Sequence, residues 1–281
     1  MMTTDPGGLE DLVAPYLIVA FEGWVSAGSA GTATADHLAA DAPVVATFET
    51  DALYDYRVSR PTVGFSEGVL GEVAWPELTI RRRRGERDLL ILSGPEPNWQ
   101  WRRLTETVAG FAADTGVVQQ ISLGGIPWAA PHTRPTVVTT TASEPRLLGD
   151  EANAVAGPLE VPAAASIVIA RRLADAGIDT VGLWARVPHY VGGIYYSAVV
   201  TLSERVCRRA GISDDPGTLV DEAAEQRRRL DETSAGQPQV ASLVERYEEL
   251  YDAGSELASG EEIAADFERF LRQQTDDGFE T

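Results

Sequence analysis

The stretch YLIVAFEGWVSAGSAGTATADHLAA, residues 16–40, sets the fold class. Its first six residues are apolar and rich in β-branched and aromatic types, which is typical of a strand buried on both faces. The apolar run ends at Glu22-Gly23, and the small residues from Ser26 onward predict a turn followed by a helix. The segment therefore predicts a strand, loop and helix unit of an α/β fold.

The same alternation continues along the chain. Further strands are predicted at PVVATFET (43–50), DLLILSG (88–94), VVQQISLGG (117–125), TVVTTTAS (136–143) and DTVGLWARV (179–187). Helices are predicted between or after them, at residues 99–116, 167–177 and 196–211. Strands that alternate with helices of this length predict an α/β core with a mainly parallel sheet and helices on both faces.

The amino-acid composition changes after Gly211. The breaker cluster ISDDPGT is followed by acidic, helix-forming sequence, so we expect an α/β core domain at 1–211 and an acidic helical extension at 212–281. Two apolar stripes in the extension must be buried, either on the core of the same chain or on a partner. They are Val240, Leu243, Val244, Tyr247, Leu250 and Tyr251, and then Ile263, Phe267, Phe270 and Leu271.

Composition excludes several classes of chemistry. All 23 basic residues are arginines, so lysine Schiff bases and P-loop lysines are excluded. The single cysteine, Cys207, excludes an internal disulfide and a cysteine metal cluster. A net charge of −20 argues against nucleic-acid and anionic-membrane partners. The one basic cluster, Arg81 to Arg84, is predicted to lie on an exposed hairpin with solvated guanidinium groups.

Targeting signals are absent from the sequence pattern. The first residues carry no basic region of a signal peptide, and no apolar run reaches the roughly 20 residues of a membrane span. We therefore expect a cytoplasmic protein without a membrane partner.

Two loops carry the same Pro-His pair, in ISLGGIPWAAPHTRP (121–135) and LWARVPHYV (183–191). Each begins where a predicted parallel strand ends, and this edge of an α/β sheet is where ligands bind. The loops EGW and GPEPN open onto the same edge. If the strands are neighbours, a pocket with an acid or base, an anion clamp and an aromatic wall is predicted. Its candidate residues are Glu22, Trp24, Glu96, Asn98, His132, Arg134 and His189.

A structural role for the two histidines is the simpler alternative. A histidine after proline often ends a turn by bonding to the backbone, and His132 and His189 are too far apart in sequence for a local metal-ligand spacing. No nucleophile elbow is present, so we name no catalytic residue and expect neither a metal nor a cofactor. A third alternative makes these loops a subunit interface. Its candidate residues are Trp128 and Trp184, with Tyr247 and Tyr251 of the extension.

Four motifs in order resemble the proteasome assembly chaperone 2 family, in particular its actinobacterial members. They are FEGWVSAGSAG, SGPEPN, LGGIPWAAPHTRP and LWARVPHYV, and the resemblance covers about residues 15 to 211. The resemblance implies a core similar to the phosphorylase/hydrolase-like fold. It also implies self-association, with a trimer as one expected form, and a connection to proteasome subunits.

Two functional hypotheses follow. The leading one is a non-catalytic, homo-oligomeric assembly or scaffold protein that resembles proteasome assembly chaperones. The alternative is a binding protein or enzyme for a nucleoside-like or amide-like small molecule, built on a phosphorylase-like fold around Glu22, His132, Arg134 and His189.

Overall fold

The computed structural model describes residues 1–149 and 157–253. Ten strands lie in this part of the chain: β1 Met2–Thr4, β2 Tyr16–Glu22, β3 Val44–Phe48, β4 Thr62–Ser66, β5 Val69–Ala74, β6 Thr79–Arg83, β7 Leu89–Pro95, β8 Gln119–Trp128, β9 Val138–Ala142 and β10 Asp179–Pro188. The α-helices are α1 Ala30–Leu38, α2 Trp101–Asp114, α3 Ala165–Asp175, α4 Tyr196–Ala210, α5 Leu219–Ala235 and α6 Pro238–Asp252.

Eight of the strands form one sheet, in the order β1-β3-β6-β7-β2-β8-β10-β9. The four central strands β7, β2, β8 and β10 are parallel. Each flanking strand pairs antiparallel with its inner neighbour. These strands are β6, β3 and β1 on one side and β9 on the other. The predicted α/β fold is confirmed, and its parallel part is the centre of the sheet.

Helices cover both faces of this sheet, and β2 shows why. Its residues alternate between two hydrophobic cores: Ile18 packs in one, while Leu17 and Val19 pack in the other. A strand buried on both faces needs an uninterrupted apolar sequence, which is what YLIVAF provides. Helices α1 and α4 complete the first core, and α2 and α3 complete the second.

Small residues allow α1 to approach the sheet closely. A Cβ atom on Gly31 would lie 2.6 Å from the carbonyl oxygen of Leu123, and one on Gly125 would lie 2.1 Å from that of Ala27. Real Cβ contacts are not this short, so glycine is required at both positions. Gly31 of the AGSAG motif and Gly125 of the LGG motif are therefore explained by packing between this helix start and β8.

The two helices described in the acidic extension, α5 and α6, pack on their own chain. Helix α5 contacts α4, and α6 contacts α5. Val244 and Tyr247 of the first apolar stripe are buried. The second stripe, Ile263 to Leu271, lies outside the described residues, and the domain boundary after residue 211 stays a prediction.

The cluster from Arg81 to Arg84 is not uniformly solvated, and this corrects the prediction of an exposed hairpin. The side chain of Arg82 is only 2% exposed and forms an ion pair of 2.8 Å with the equally buried Asp88. It also donates to the backbone carbonyls of Gly8, Glu10 and Asp11. Arg82 is buried because it fastens the N-terminal loop to β6, within the sheet.

Strands β4 and β5 form a separate two-stranded sheet that the sequence analysis does not predict. Every residue of both strands is exposed. The hairpin therefore contributes nothing to either core.

Candidate functional site

The loops after β2, β7, β8 and β10 emerge at one edge of the sheet because these four strands are parallel. This edge carries all seven candidate pocket residues. Their hydrogen bonds divide them into two groups. Glu22, Trp24, Glu96 and Asn98 bond to the loops around β2 and β7, whereas His132, Arg134 and His189 contact the C-terminal helices.

Glu96 holds the first group together. One oxygen of its carboxylate accepts the backbone N–H of Trp24 at 3.0 Å, and the other accepts that of Ala165 at 2.6 Å. Ala165 is the first residue of α3, where a carboxylate stabilises otherwise unpaired N–H groups. The backbone N–H of Glu96 also donates to the carbonyl oxygen of Glu22 at 2.7 Å. Glu96 thus links two loops and the start of a helix.

Asn98 has a comparable role in the adjacent segment. Its side-chain oxygen accepts the backbone N–H of Asp55 at 2.9 Å and the hydroxyl of Ser59 at 3.2 Å. Its own backbone N–H donates to the carbonyl oxygen of Leu53. Asn98 therefore fixes the turn that leads into the β4–β5 hairpin. Glu22 and Trp24 are exposed beside these contacts.

His132 is buried against the C-terminal helices, and its hydrogen bonds determine its tautomer. Its backbone N–H donates to the Tyr190 hydroxyl at 2.9 Å. Because the carboxylate beside Nε2 can only accept, Nδ1 accepts the proton of the same hydroxyl at 2.8 Å. Nε2 then carries the ring proton and donates to Asp231 of α5 at 3.2 Å. Burial lowers the pKa of His132, and the hydrogen bond to Asp231 opposes part of that shift. The neutral ring satisfies all of these contacts.

His189 completes a group of rings that we call the helix-docking cluster: His132, His189, Tyr190 and Tyr247. The Tyr247 hydroxyl of α6 lies 3.3 Å from Nε2 of His189. Tyr190 makes edge contacts with both histidine rings, each at a centroid distance of 5.7 Å. The two Pro-His loops are thus joined through Tyr190 and covered by α5 and α6.

Arg134 extends this docking to the end of α6. Its guanidinium group donates to both carboxylate oxygens of Asp252, at 2.9 and 2.7 Å, and to Glu248 at 2.9 Å. The hydrogen bond to Asp252 is the main cause of a raised Arg134 pKa, and in turn lowers the pKa of Asp252. The predicted anion clamp therefore binds carboxylates of its own chain.

Two of the candidate interface residues are packed inside the chain. Trp184 is 6% exposed and donates through Nε1 to Thr141, and Tyr247 is 7% exposed. Trp128 is partly exposed at the end of β8, with the Arg186 guanidinium 4.3 Å from its ring centroid. Tyr251 is also partly exposed.

Sequence reasoning did not identify Tyr190 or Asp231. Tyr190 follows His189 directly, so its place beside a Pro-His pair could have marked it as a hydrogen-bond partner for a histidine. Asp231 is 99 residues from His132 and is one of many acids on an amphipathic helix, so no local pattern distinguishes it.

Among the described residues there is neither a metal-ligand cluster nor an exposed thiol. No group of three or more histidine, cysteine, aspartate or glutamate side chains is placed to hold a metal ion in residues 1–149 and 157–253. Cys207 is buried in α4, where desolvation raises its pKa and disfavours the nucleophilic thiolate. None of the helices in these two ranges combines the length and the apolar character that a bilayer crossing requires.

Comparison with known proteins defines the class. The sequence model of the PAC2 family matches residues 20–234. Among solved structures, the Mycobacterium tuberculosis protein of unknown function Rv2714 is 33% identical, with a TM-score of 0.81, over 93% of this chain and 88% of that one. A comparison with curated protein sequences finds no match.

Two further structures are similar over most of their length. The M. tuberculosis proteasome-assembly chaperone homologue Rv2125 is 30% identical, with a TM-score of 0.75, over 82% of this chain and 99% of that one. A PAC2 family protein from Streptomyces avermitilis is 31% identical, with a TM-score of 0.72 and the same coverage. The chain belongs to the PAC2 family.

Proposed function

We propose that this PAC2 family protein is a non-catalytic assembly factor that works as a homo-oligomer in the cytoplasm and binds proteasome subunits. In this proposal the protein supplies a surface on which subunits meet, and it performs no bond-making step. The C-terminal helices are part of the working fold because they cover the two Pro-His loops.

The main support for this proposal is that four of the candidate pocket residues already form hydrogen bonds within their own chain. The carboxylate of Glu96 bonds to two backbone N–H groups, and Asn98 bonds to the turn that it fixes. His132 and Arg134 bond to side chains of α5 and α6. Groups engaged in this way hold loops and helices in place, whereas a general acid, a base or an anion clamp must be available to a ligand. This favours a scaffold over an enzyme.

The similarity to a proteasome-assembly chaperone homologue supports proteasome subunits as the partner. Rv2125, which shares 30% identity with this chain, is described as a proteasome-assembly chaperone homologue. The −20 charge of the chain adds a physical preference, because it attracts basic protein surfaces and repels nucleic acid.

Reconstitution of an actinobacterial proteasome from purified α- and β-subunits tests the function. With stoichiometric amounts of this chain, we expect the rate or yield of ring assembly to change and the chain to co-migrate with α-subunit intermediates on native gels. An unrelated protein of similar size and net charge is the control for non-specific electrostatic effects. Unchanged assembly with no co-migration would overturn the proposal.

A further inference from the structure

An open groove lies next to the end of β7. It has a volume of about 420 Å³, and its lining residues belong to the segments 51–57, after β3, and 99–100, after β7. The backbone N–H groups of Asn98 and Trp99 both donate to the carbonyl oxygen of Leu53, at 2.9 and 3.0 Å, and so hold the two segments together. The groove is therefore formed before a ligand arrives, which lowers the cost of binding.

Aromatic rings form much of the groove. Tyr54, Tyr56 and Trp99 line it, and Trp99 is 54% exposed. The Tyr56 ring is supported by Trp75, directly after β5, through an edge contact with a centroid distance of 5.0 Å. Electron-rich ring faces attract cations, and a guanidinium group also stacks on them. A lining of this kind suits a cationic side chain as well as an apolar one.

The carboxylates of the groove decide between these two occupants. Asp55 is already neutralised, because Arg57 donates to both of its carboxylate oxygens and lowers its pKa to about 2. Asp51 is exposed and accepts the Tyr56 hydroxyl through one oxygen, while its other oxygen accepts no hydrogen bond from the described residues. An apolar occupant would remove water from this carboxylate without replacing its hydrogen bonds, whereas a cation would pair with it.

The surrounding segment is also negative. Residues 49–78, which join β3 to β6, contain six acids and two arginines. Their net charge of −4 in 30 residues is about twice the density of −20 in 281 for the whole chain. Carboxylates are numerous on α5 and α6 as well, but several of them pair with arginines of their own chain, among them Glu225, Glu232, Glu248 and Asp252. The groove thus combines a negative surrounding with a carboxylate that has no described counter-ion.

We propose that the groove formed by Asp51, Tyr54, Tyr56 and Trp99 binds an arginine side chain of a partner protein. Arginine fits better than lysine, because a planar guanidinium group donates two hydrogen bonds to a carboxylate and stacks on a ring in the same pose. This inference rests on the partner binding within the proposed function and names the chemistry of one contact.

A pair of short peptides tests the groove. One is an acetylated and amidated Gly-Arg-Gly peptide, and the other has citrulline in place of arginine, which keeps nearly the same shape without the charge. In nuclear magnetic resonance titrations of the wild-type chain, the arginine peptide is expected to shift the Trp99 indole resonance and to bind at least about tenfold more tightly than the citrulline peptide. The spectrum of Trp99→Phe assigns this resonance.

A matched pair of variants locates the binding site. Asp51→Asn is expected to weaken binding of the arginine peptide at least about fivefold, because it removes the counter-ion and keeps the shape of the side chain. Glu204→Gln makes the same change of charge at an exposed position of α4, outside the groove, and should bind the peptide as wild type does. Circular dichroism checks that both variants are folded.

The outcomes separate the groove from the proposed function. Equal affinities for the two peptides, an unchanged Trp99 resonance, or equal affinities of wild type and Asp51→Asn would each overturn the groove. Binding of the arginine peptide without any complex with proteasome α-subunits would overturn the proposed function alone. A complex with α-subunits that is equally tight for wild type and Asp51→Asn would overturn the groove as a partner contact and leave the proposed function in place.

Discussion

Nδ1 of His132 lies 2.8 Å from the hydroxyl oxygen of Tyr190, and the same oxygen accepts the backbone N–H of His132 at 2.9 Å. One phenol thus satisfies two atoms of one histidine and joins the two Pro-His loops. On the far side of the ring, Asp231 connects this pair to the C-terminal helices. The arrangement gives the repeated Pro-His motif a structural role, in which it joins two loops to the C-terminal helices.

Tyr190→Phe tests this relationship. Removing the hydroxyl leaves two buried groups of His132 without their partner, so we expect the free energy of unfolding to fall by about 1–3 kcal/mol. Tyr196→Phe is the matched control, since the Tyr196 hydroxyl forms no hydrogen bond with the described residues. Urea denaturation of both variants measures the difference. Equal stability of Tyr190→Phe and wild type would contradict the assigned role.

The lowered pKa of His132 predicts a dependence of stability on pH. The folded state favours the neutral ring, so this contribution is complete above the ordinary histidine pKa of about 6.5 and declines as the pH falls toward the lowered folded value. Asp231 and Glu248 oppose the shift, and Arg227 adds to it. The unfolding free energies of wild type and His132→Gln should therefore converge between pH 7.5 and pH 5.5, as followed by urea denaturation. A gap that widens over this range would reverse the assigned direction.

Arg134→Ala tests the docking of α6. Loss of the contacts to Glu248 and Asp252 is expected to speed amide hydrogen exchange in Pro238–Asp252, and wild type in high salt should show part of the same change. Arg228→Ala is the control, because Arg228 pairs within α5 with Glu225 and Glu232. Equal exchange rates in α6 for the two variants would show that Arg134 does not hold this helix.

Because Arg82 and Asp88 form a buried ion pair, substitutions of the two residues are expected to have strongly non-additive effects on the free energy of unfolding. Asp88→Ala leaves the Arg82 guanidinium buried without its counter-ion, which is expected to cost about 3–5 kcal/mol. Arg82→Met with Asp88→Leu should cost less than the sum of the single changes. Arg84→Met, at an exposed neighbouring arginine, should have little effect. Thermal denaturation of wild type, Arg82→Met, Asp88→Leu and the double variant checks the cycle, and additive losses would argue against a coupled pair.

The core of the fold was predictable from the sequence. Apolar runs such as YLIVAF specify strands buried on both faces, and the amphipathic periods of α2 and α4 specify helices that cover them. The loops at the carboxyl edge followed from the parallel order of the strands. These features depend on residues that are close in sequence.

The remaining features depend on distant contacts or on the absence of a buried face. His132 meets Asp231 across 99 residues, so no local pattern indicates that α5 covers the Pro-His loop. Arg82 is buried by the carbonyl groups of a distant N-terminal loop. A run of four arginines does not indicate which of them is buried. The β4–β5 hairpin was not predicted because three glycines interrupt its alternation and neither face packs on the core.

We propose above that this PAC2 family protein acts by binding proteasome subunits. Native mass spectrometry of the wild-type chain mixed with purified actinobacterial proteasome α-subunits tests it most directly. We expect a complex that contains both the α-subunit and more than one copy of this chain. Separate, unassociated masses at micromolar concentrations of both proteins would contradict it.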